Sequence, residues 1–249
     1  MAKRTKKTEK ITEDKKTIVP QKKFTVPKNS LTKIILTEKQ KELEQLINKN
    51  KIIIIDGPAG TSKTFLACYY AIKALRDETA DRIIITKPAE ESGEKLGFLP
   101  GTIEEKIAPY YNSFYSTFKK LIPEKFMKTL DEKDRIKATP LAYMRGATFD
   151  EKTIAILDEA QNCSWKSLML FVTRMGKGSK LLIMGDVTQY DINKNMVALQ
   201  QFAEEMESVK GVGVFHFERE DIMRDKILID ITDRYEKLKY GGSLKEEKR

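Results

Sequence analysis

Five short apolar runs set the frame of this chain: "KIIIID" (51–56), "RIIIT" (82–86), "TIAIL" (153–157), "KLLIM" (180–184) and "GVGVFHF" (211–217). Most lack the apolar–polar alternation of a strand with one wet face. A continuous run of this length, rich in β-branched residues, suits a strand covered on both sides. Helical stretches lie between most of the runs. "LTEKQKELEQLINKN" (36–50) spaces Leu43, Leu46 and Ile47 as a helix does, with Thr37 placed to cap it, and "KTFLACYYAIKAL" (63–75) is rich in helix formers. Buried strands alternating with helices predict an α/β fold, a three-layer parallel sheet with helices on both faces. Residues 103–135 are longer, charged and aromatic, and read as a mostly helical insertion at the sheet edge.

The chain has 249 residues, enough for one domain of ordinary size, and its 40% hydrophobic content supports a real core. No apolar run approaches the roughly 18–20 residues of a membrane span. The first residues, "MAKRTKKTEK", have no apolar segment behind them, so no secretory signal is expected. Two cysteines, Cys68 and Cys163, are too few for a disulfide framework, which fits a reducing, cytoplasmic setting.

The net charge of +9 is unevenly placed. Residues 1–30 hold ten Lys/Arg against three Asp/Glu and read as a solvated basic tail. Residues 241–249 read as a flexible C-terminal tail at +1, so the expected domain, 31–240, is near neutral. A basic arm of this kind either touches nucleic acid or only keeps the protein soluble.

The run 51–56 leads directly into "GPAGTSKT" (57–64), so a buried strand feeds a glycine-containing loop and then a helix. That is the setting of a phosphate-binding loop, written G-x-x-x-x-G-K-[ST]. Gly57, Pro58, Ala59, Gly60, Thr61 and Ser62 would cradle phosphate with backbone N–H groups, aided by the helix dipole. Lys63 would reach the β and γ phosphates, and the Thr64 hydroxyl would ligate Mg²⁺. Ser62 stands where the motif has its second glycine. A serine forced to positive φ costs about 1–3 kcal/mol. A nucleotide at a hundredfold excess over its Kd returns about 2.7 kcal/mol. The substitution is tolerable.

"TIAILDEAQN" (153–162) puts Asp158 and Glu159 at the carboxyl end of a predicted strand, where open α/β sheets bind ligands. Asp158 would hold Mg²⁺, usually through water, and Glu159 would act as general base toward a water attacking the γ-phosphate. "KLLIMGDVTQYD" (180–191) ends another strand near Gln189, an amide that could sense the γ-phosphate or orient that water. Arg219 and Arg224, in "FEREDIMRDK" (217–226), are candidates for charge stabilisation or plain surface arginines. Gln40 reads either as an amide facing an adenine edge or as a solvent-facing helix residue. His216 reads as a strand histidine with a structural hydrogen bond, and Trp165 as packing.

With these residues in hand, the chain resembles the PhoH-like family of P-loop ATPases, single-domain relatives of superfamily 1 helicases. The similarity runs over about 36–236. It rests on "GPAGTSKT", "KPAEESGEKLGFLPG" (87–101), "PLAYMRGATF" (140–149), "LDEAQN" (157–162), "LMLFVTRMGKGSKLLIMGDVTQYD" (168–191) and "DIMRDKI" (221–227). The resemblance implies a RecA-like fold, binding and hydrolysis of ATP with Mg²⁺, and a link to RNA or single-stranded DNA. It supports Lys63, Thr64, Asp158, Glu159, Gln189 and Arg224 in the roles above and Gln40 as an adenine reader. Three residues depart from the family pattern. Ser62 replaces a glycine and bears on hydrolysis more than on binding. Lys87 and Ala147 each stand where an arginine is usual, which bears on nucleic-acid contacts from their loops. No nuclease-like segment precedes the similarity, so the family's RNA-cleaving fusions are not the expected model.

Helicase motors of this kind set the nucleotide between two ATPase domains, the second supplying an arginine. With a single phosphate loop, this chain is expected to borrow that arginine from a neighbouring copy, Arg224 first and Arg219 second. The expected assembly is a homo-oligomer, with a hexameric ring favoured. Two other functions fit the same residues. One is a nucleotide-binding regulatory or scaffold protein with negligible hydrolysis. The other is a small-molecule kinase, against which the adjacent Asp158 and Glu159 argue.

Overall fold

The computed structural model describes residues 26–88, 103–186 and 196–225, together with 227, 229–231 and 234. Its centre is a parallel sheet of β1 (Ile52–Asp56), β2 (Arg82–Thr86), β3 (Ile136–Ala138), β4 (Thr153–Leu157), β5 (Lys180–Met184) and β6 (Val212–His216). The strand order is β3-β2-β4-β5-β1-β6. Every strand pair is parallel, with Ile53 opposite Leu182 on one side and Gly213 on the other. This is the RecA-like three-layer sheet expected of a P-loop NTPase. Five strands coincide with the apolar runs. The sixth, β3, is three residues long and is not legible as a run.

The pleat sorts the strand residues onto two covered faces. Ile53, Ile55, Ile83, Ile85, Ile154 and Ile156 enter one core with Leu182 and Met184. Helices α1 (Glu38–Lys49), α2 (Lys63–Arg76), α3 (Ile103–Leu121) and α4 (Glu124–Glu132) supply the other side of that core. Ile54, Ala155, Leu157, Leu181 and Ile183 point the opposite way. They meet α5 (Trp165–Val172), α6 (Met196–Met206) and the 3-10 turn Leu141–Met144. Ile53, Ile54 and Ile55 are all 0% exposed. At about 1.5–3 kcal/mol for each buried side chain, β1 is a fixed anchor for the loop that follows it.

Residues 103–135 form α3 and α4 and are helical over most of their length. Phe114 and Phe118 of α3 are fully buried in the first core, and α3 packs on α2. The aromatic content that set this stretch apart is core. Val26 is likewise buried, which brings the first core into a segment whose charge reads as tail. Cys68 and Cys163 are free and lie in opposite cores. Among the described residues, no helix is long and apolar enough to cross a membrane.

Candidate nucleotide site

Helix α1 begins with a capping box: the Gln40 backbone N–H donates to Thr37 Oγ1 (3.2 Å), and the Thr37 N–H donates to Gln40 Oε1 (3.1 Å). Gln40 is therefore buried at the cap, neither solvent-facing nor on the wall of the cleft described below. Its carbonyl accepts from the Tyr70 hydroxyl (3.0 Å), tying α1 to α2.

The loop after β1 is closely fitted. Gly57 has φ 146°, and a Cβ there would lie 2.6 Å from Phe217 Cβ and 2.7 Å from its carbonyl oxygen, so only glycine fits. Thr61 is buried and donates to the Pro58 carbonyl (2.9 Å). Ser62 adopts the left-handed conformation, φ 67° and ψ 20°, so the missing glycine does leave a strained residue at this turn. The Ser62 side chain makes no capping bond to α2. Lys63 Nζ donates to the carbonyls of Gly57 (2.6 Å) and Pro58 (2.9 Å). Burial pulls the Lys63 pKa down, while Asp186, Asp158, Asp56 and Glu159 act against that shift.

The sheet brings the carboxylates to this loop. Thr64 Oγ1 donates to Asp158 Oδ2 at 3.2 Å, joining the first turn of α2 to the end of β4. Burial, then the neighbouring Glu159, pushes the Asp158 carboxyl up to about 6; Lys87 and the Thr64 hydroxyl pull the other way. Lys87 itself follows β2 with its Nζ 4.0 Å from Asp158 Oδ2 and 5.7 Å from the Phe114 ring centroid. Its side chain is 11% exposed, so it faces the carboxylate rather than an outer partner. Glu159 is left-handed, φ 54° and ψ 37°, and its carboxylate accepts from Gln161 Nε2 (2.6 Å). Gln161 Oε1 accepts from the Asp186 N–H (3.1 Å), so one amide links the ends of β4 and β5.

These groups line a cleft of about 370 Å³, within the range of small-molecule sites. Its walls include Ala59, Gly60, Ser62, Lys63, Thr64, Asp158, Glu159, Gln161, Asp186 and Arg224. Arg224 comes from the same chain. The Met223 N–H donates to the Gly60 carbonyl (3.0 Å), and a Cβ on Gly60 would meet the Arg224 side chain at 3.3 Å. Arg224 therefore lines the cleft of its own chain. Arg219 is exposed in a 3-10 turn and is not part of the cleft wall. Gln189 lies outside the described residues, as do both expected tails as far as Thr25 and from Tyr235 on.

Two wall residues, Gln161 and Asp186, carry no role in the sequence reading, and Lys87 enters it only as a departure from the family pattern. Each lies inside a quoted motif, but a spacing rule marks neither a bridging amide nor a buried counter-charge. His216 does have the expected bond, with Nδ1 3.3 Å from Asp56 Oδ2.

A family model for PhoH-like proteins matches residues 34–236. The chain belongs to the PhoH family. A PhoH-like protein of Bacillus subtilis (strain 168) is 38% identical over 204 residues, which is 82% of this chain and 64% of that one. Protein PhoH of Escherichia coli (strain K12) is 36% identical over 201 residues, 79% of this chain and 56% of that one. This PhoH-family chain thus spans about three fifths of the length of the curated relatives it matches. Among solved structures, the large terminase of a thermophilic bacteriophage aligns with a TM-score of 0.49 at 13% identity, covering 82% of this chain and 50% of that one. The Pif1 helicase of Candida albicans gives 0.40 at 19% identity, covering 81% and 44%. The resemblance read from the motifs is borne out.

A P-loop NTPase fold implies a nucleotide and a divalent cation, and the residues present fit both. The cleft offers oxygen donors, Thr64 Oγ1 and Asp158 Oδ2, of the kind a hard cation takes. No group of three His, Cys, Asp or Glu side chains able to hold a metal occurs among the described residues. Mg²⁺ is commonly held by one or two carboxylates plus substrate phosphates, and Asp158 is the carboxylate here.

Proposed function

We propose that this chain binds ATP with Mg²⁺ at residues 57–64 and hydrolyses it, with turnover coupled to single-stranded RNA or DNA. The observation that carries the ATPase reading is the 3.2 Å contact between Thr64 Oγ1 and Asp158 Oδ2, two residues from separate motifs meeting at one sheet edge. In this reading the loop N–H groups and Lys63 hold the phosphates, and Thr64 and Asp158 hold the cation. When bound, Mg²⁺ neutralises charge on the β- and γ-phosphate oxygens. Glu159 accepts the proton of the attacking water, and the Gln161 amide fixes which carboxylate oxygen is free to do so. Arg224, beside Gly60, offsets charge on the transferred phosphoryl group, and Gln189 remains the proposed orienter of the water. Gln40 remains the proposed adenine reader through its amide NH₂, its oxygen already accepting one bond at the cap.

Coupling to nucleic acid is supported by the charge of residues 1–30 and by family membership. The test is steady-state ATP turnover with and without single-stranded RNA and DNA. Lys63→Ala should abolish ATP binding. Glu159→Gln should keep binding and lose about 10²–10⁴ in turnover, the share of a general base. ATP binding with no turnover in the parent would leave a nucleotide-binding scaffold instead, and turnover unaffected by either nucleic acid would remove the coupling.

A further inference from the structure

Within the covering layer on the second face of the sheet, the turn Leu141–Met144 and α5 hold no acidic residue, whereas α6 beside them carries Glu204 and Glu205. Residues 136–149 and 160–185 contain six Lys/Arg and no Asp or Glu, in a chain with 37 acidic residues. These two segments are neighbours in the fold. The turn Leu141–Met144 packs against α5, the Phe149 and Phe171 rings meet at 5.6 Å, and the Phe149 N–H donates to the Arg174 carbonyl (2.7 Å). Arg174 Nη1 in turn donates to the Ala147 carbonyl (3.1 Å).

The same layer leaves large side chains in water. Leu141, Met144, Leu168 and Phe171 are buried, while Tyr143 is 60%, Trp165 37% and Met169 43% exposed. Trp165 and Met169 are four residues apart and so share one stripe of α5. Arg145 and Lys166 are exposed beside them in sequence. Lys180 does not belong to this face, because it donates to the Ile47 and Asn50 carbonyls. Trp165 is braced edge-on against Phe202 with ring centroids 5.5 Å apart, and its Nε1–H donates to Gln201 Oε1 (3.4 Å). A rigid aromatic surface with basic neighbours and no acid in its own segments is what a single-stranded nucleic acid needs, since bases stack on rings and phosphates seek cations.

We infer that the face formed by the turn Leu141–Met144 and α5 is the surface on which this chain takes a single strand of RNA or DNA, with Tyr143 and Trp165 as stacking platforms and Arg145 and Lys166 as phosphate contacts. The inference rests on the coupling reading above and names its contact surface. Charge favours the occupant: the turn and α5 carry the exposed Arg145 and Lys166 and no acid of their own, with the acids Glu204 and Glu205 on the adjoining α6. A local basic edge suits a polyanion. Arg145 is the exposed cation of its turn.

Trp165 is the chain's one tryptophan, so it reports on its own surface. Oligo(U) and oligo(dT) of about 20 nucleotides, longer than a typical single-strand site, are titrated into the full chain. Trp165 fluorescence and the anisotropy of the labelled oligomer are followed together. Quenching should track binding. Trp165→Leu and Tyr143→Ala should each weaken binding roughly tenfold with an unchanged salt slope, because stacking releases no counterion. Arg145→Glu combined with Lys166→Glu should weaken it and reduce the slope by about 1.4. ATP affinity equal to the parent's in each variant establishes the fold, and Tyr143→Ala serves if loss of the Trp165 packing disturbs α5. If the oligomers bind without quenching and the variants bind like the parent, this surface is wrong and the coupling reading stands. If neither oligomer binds the parent, both fall. If the parent self-associates in sedimentation and Trp165→Leu makes it monomeric, the face joins copies of the chain and the inference is overturned.

Discussion

Arg224 lies against Gly60 of its own phosphate loop, close enough that a methyl group on Gly60 would touch its side chain at 3.3 Å. The backbone bond from Met223 to the Gly60 carbonyl holds the two segments together. Arg224→Ala should therefore lower turnover by about 10³ or more, the range of arginines that stabilise phosphoryl transfer. ATP affinity should change little. Mixtures of Lys63→Ala and Arg224→Ala chains should stay inactive, since each chain uses its own arginine. Recovered turnover in the mixture would show that a neighbour supplies it.

Ser62→Gly should stabilise the protein. Ser62 is held at φ 67° and its side chain makes no capping bond, so glycine relieves strain and forfeits nothing in the turn. A gain of about 1 kcal/mol corresponds to roughly 2–4 °C in Tm for a chain of this size. Turnover should be unchanged or faster. A lower Tm, measured by thermal unfolding, would give the hydroxyl a positive role.

The chain's one histidine should titrate above its ordinary value. The bond to Asp56 raises the His216 pKa, with burial acting against it. The folded state thus binds the proton more tightly than the unfolded chain does. That contribution to stability is fully present below about pH 6.5 and lost as pH rises through the raised value. His216 is more than half exposed, so the effect is under about 1 kcal/mol. The imidazole NMR signals of the parent should titrate at higher pH than those of Asp56→Asn. Equal values in the two proteins would remove the pairing.

Removing residues 1–25 should spare ATP binding and flatten the salt dependence of any nucleic-acid affinity. That segment holds nine Lys/Arg against three Asp/Glu and stops short of Val26, which is buried in the core. Cutting at residue 30 would take Val26 as well and would confuse lost charge with lost packing. An unchanged slope after removal of 1–25 would leave the arm a solubilising one.

The parts of this protein written as long local patterns were legible in its sequence. Ile52–Asp56 had to be a strand, and Gly57–Thr64 after it had to be a turn into a helix. Asp158 and Glu159 followed from their place at the end of an apolar run. The parts that depend on distant packing were not legible. Ile136–Ala138 is too short for a period to show, and becomes a strand only because β2 offers it a ladder. Lys87 looked like an outer contact until α3 brought Phe114 beside it. Arg224 could be named as a charge, but only the return of the chain past β6 sets it beside Gly60.

Lys63 is positioned by the loop it would serve. Its ammonium already has two good acceptors, the carbonyls of Gly57 and Pro58. Two of its three N–H groups are thus committed, so a phosphate that takes Lys63 meets a positioned ammonium through the third and gains more only by exchanging a carbonyl bond for its own. In the proposed site the same two carbonyls hold the ammonium in one place before any ligand arrives, so its ordering is a cost of folding and not of binding.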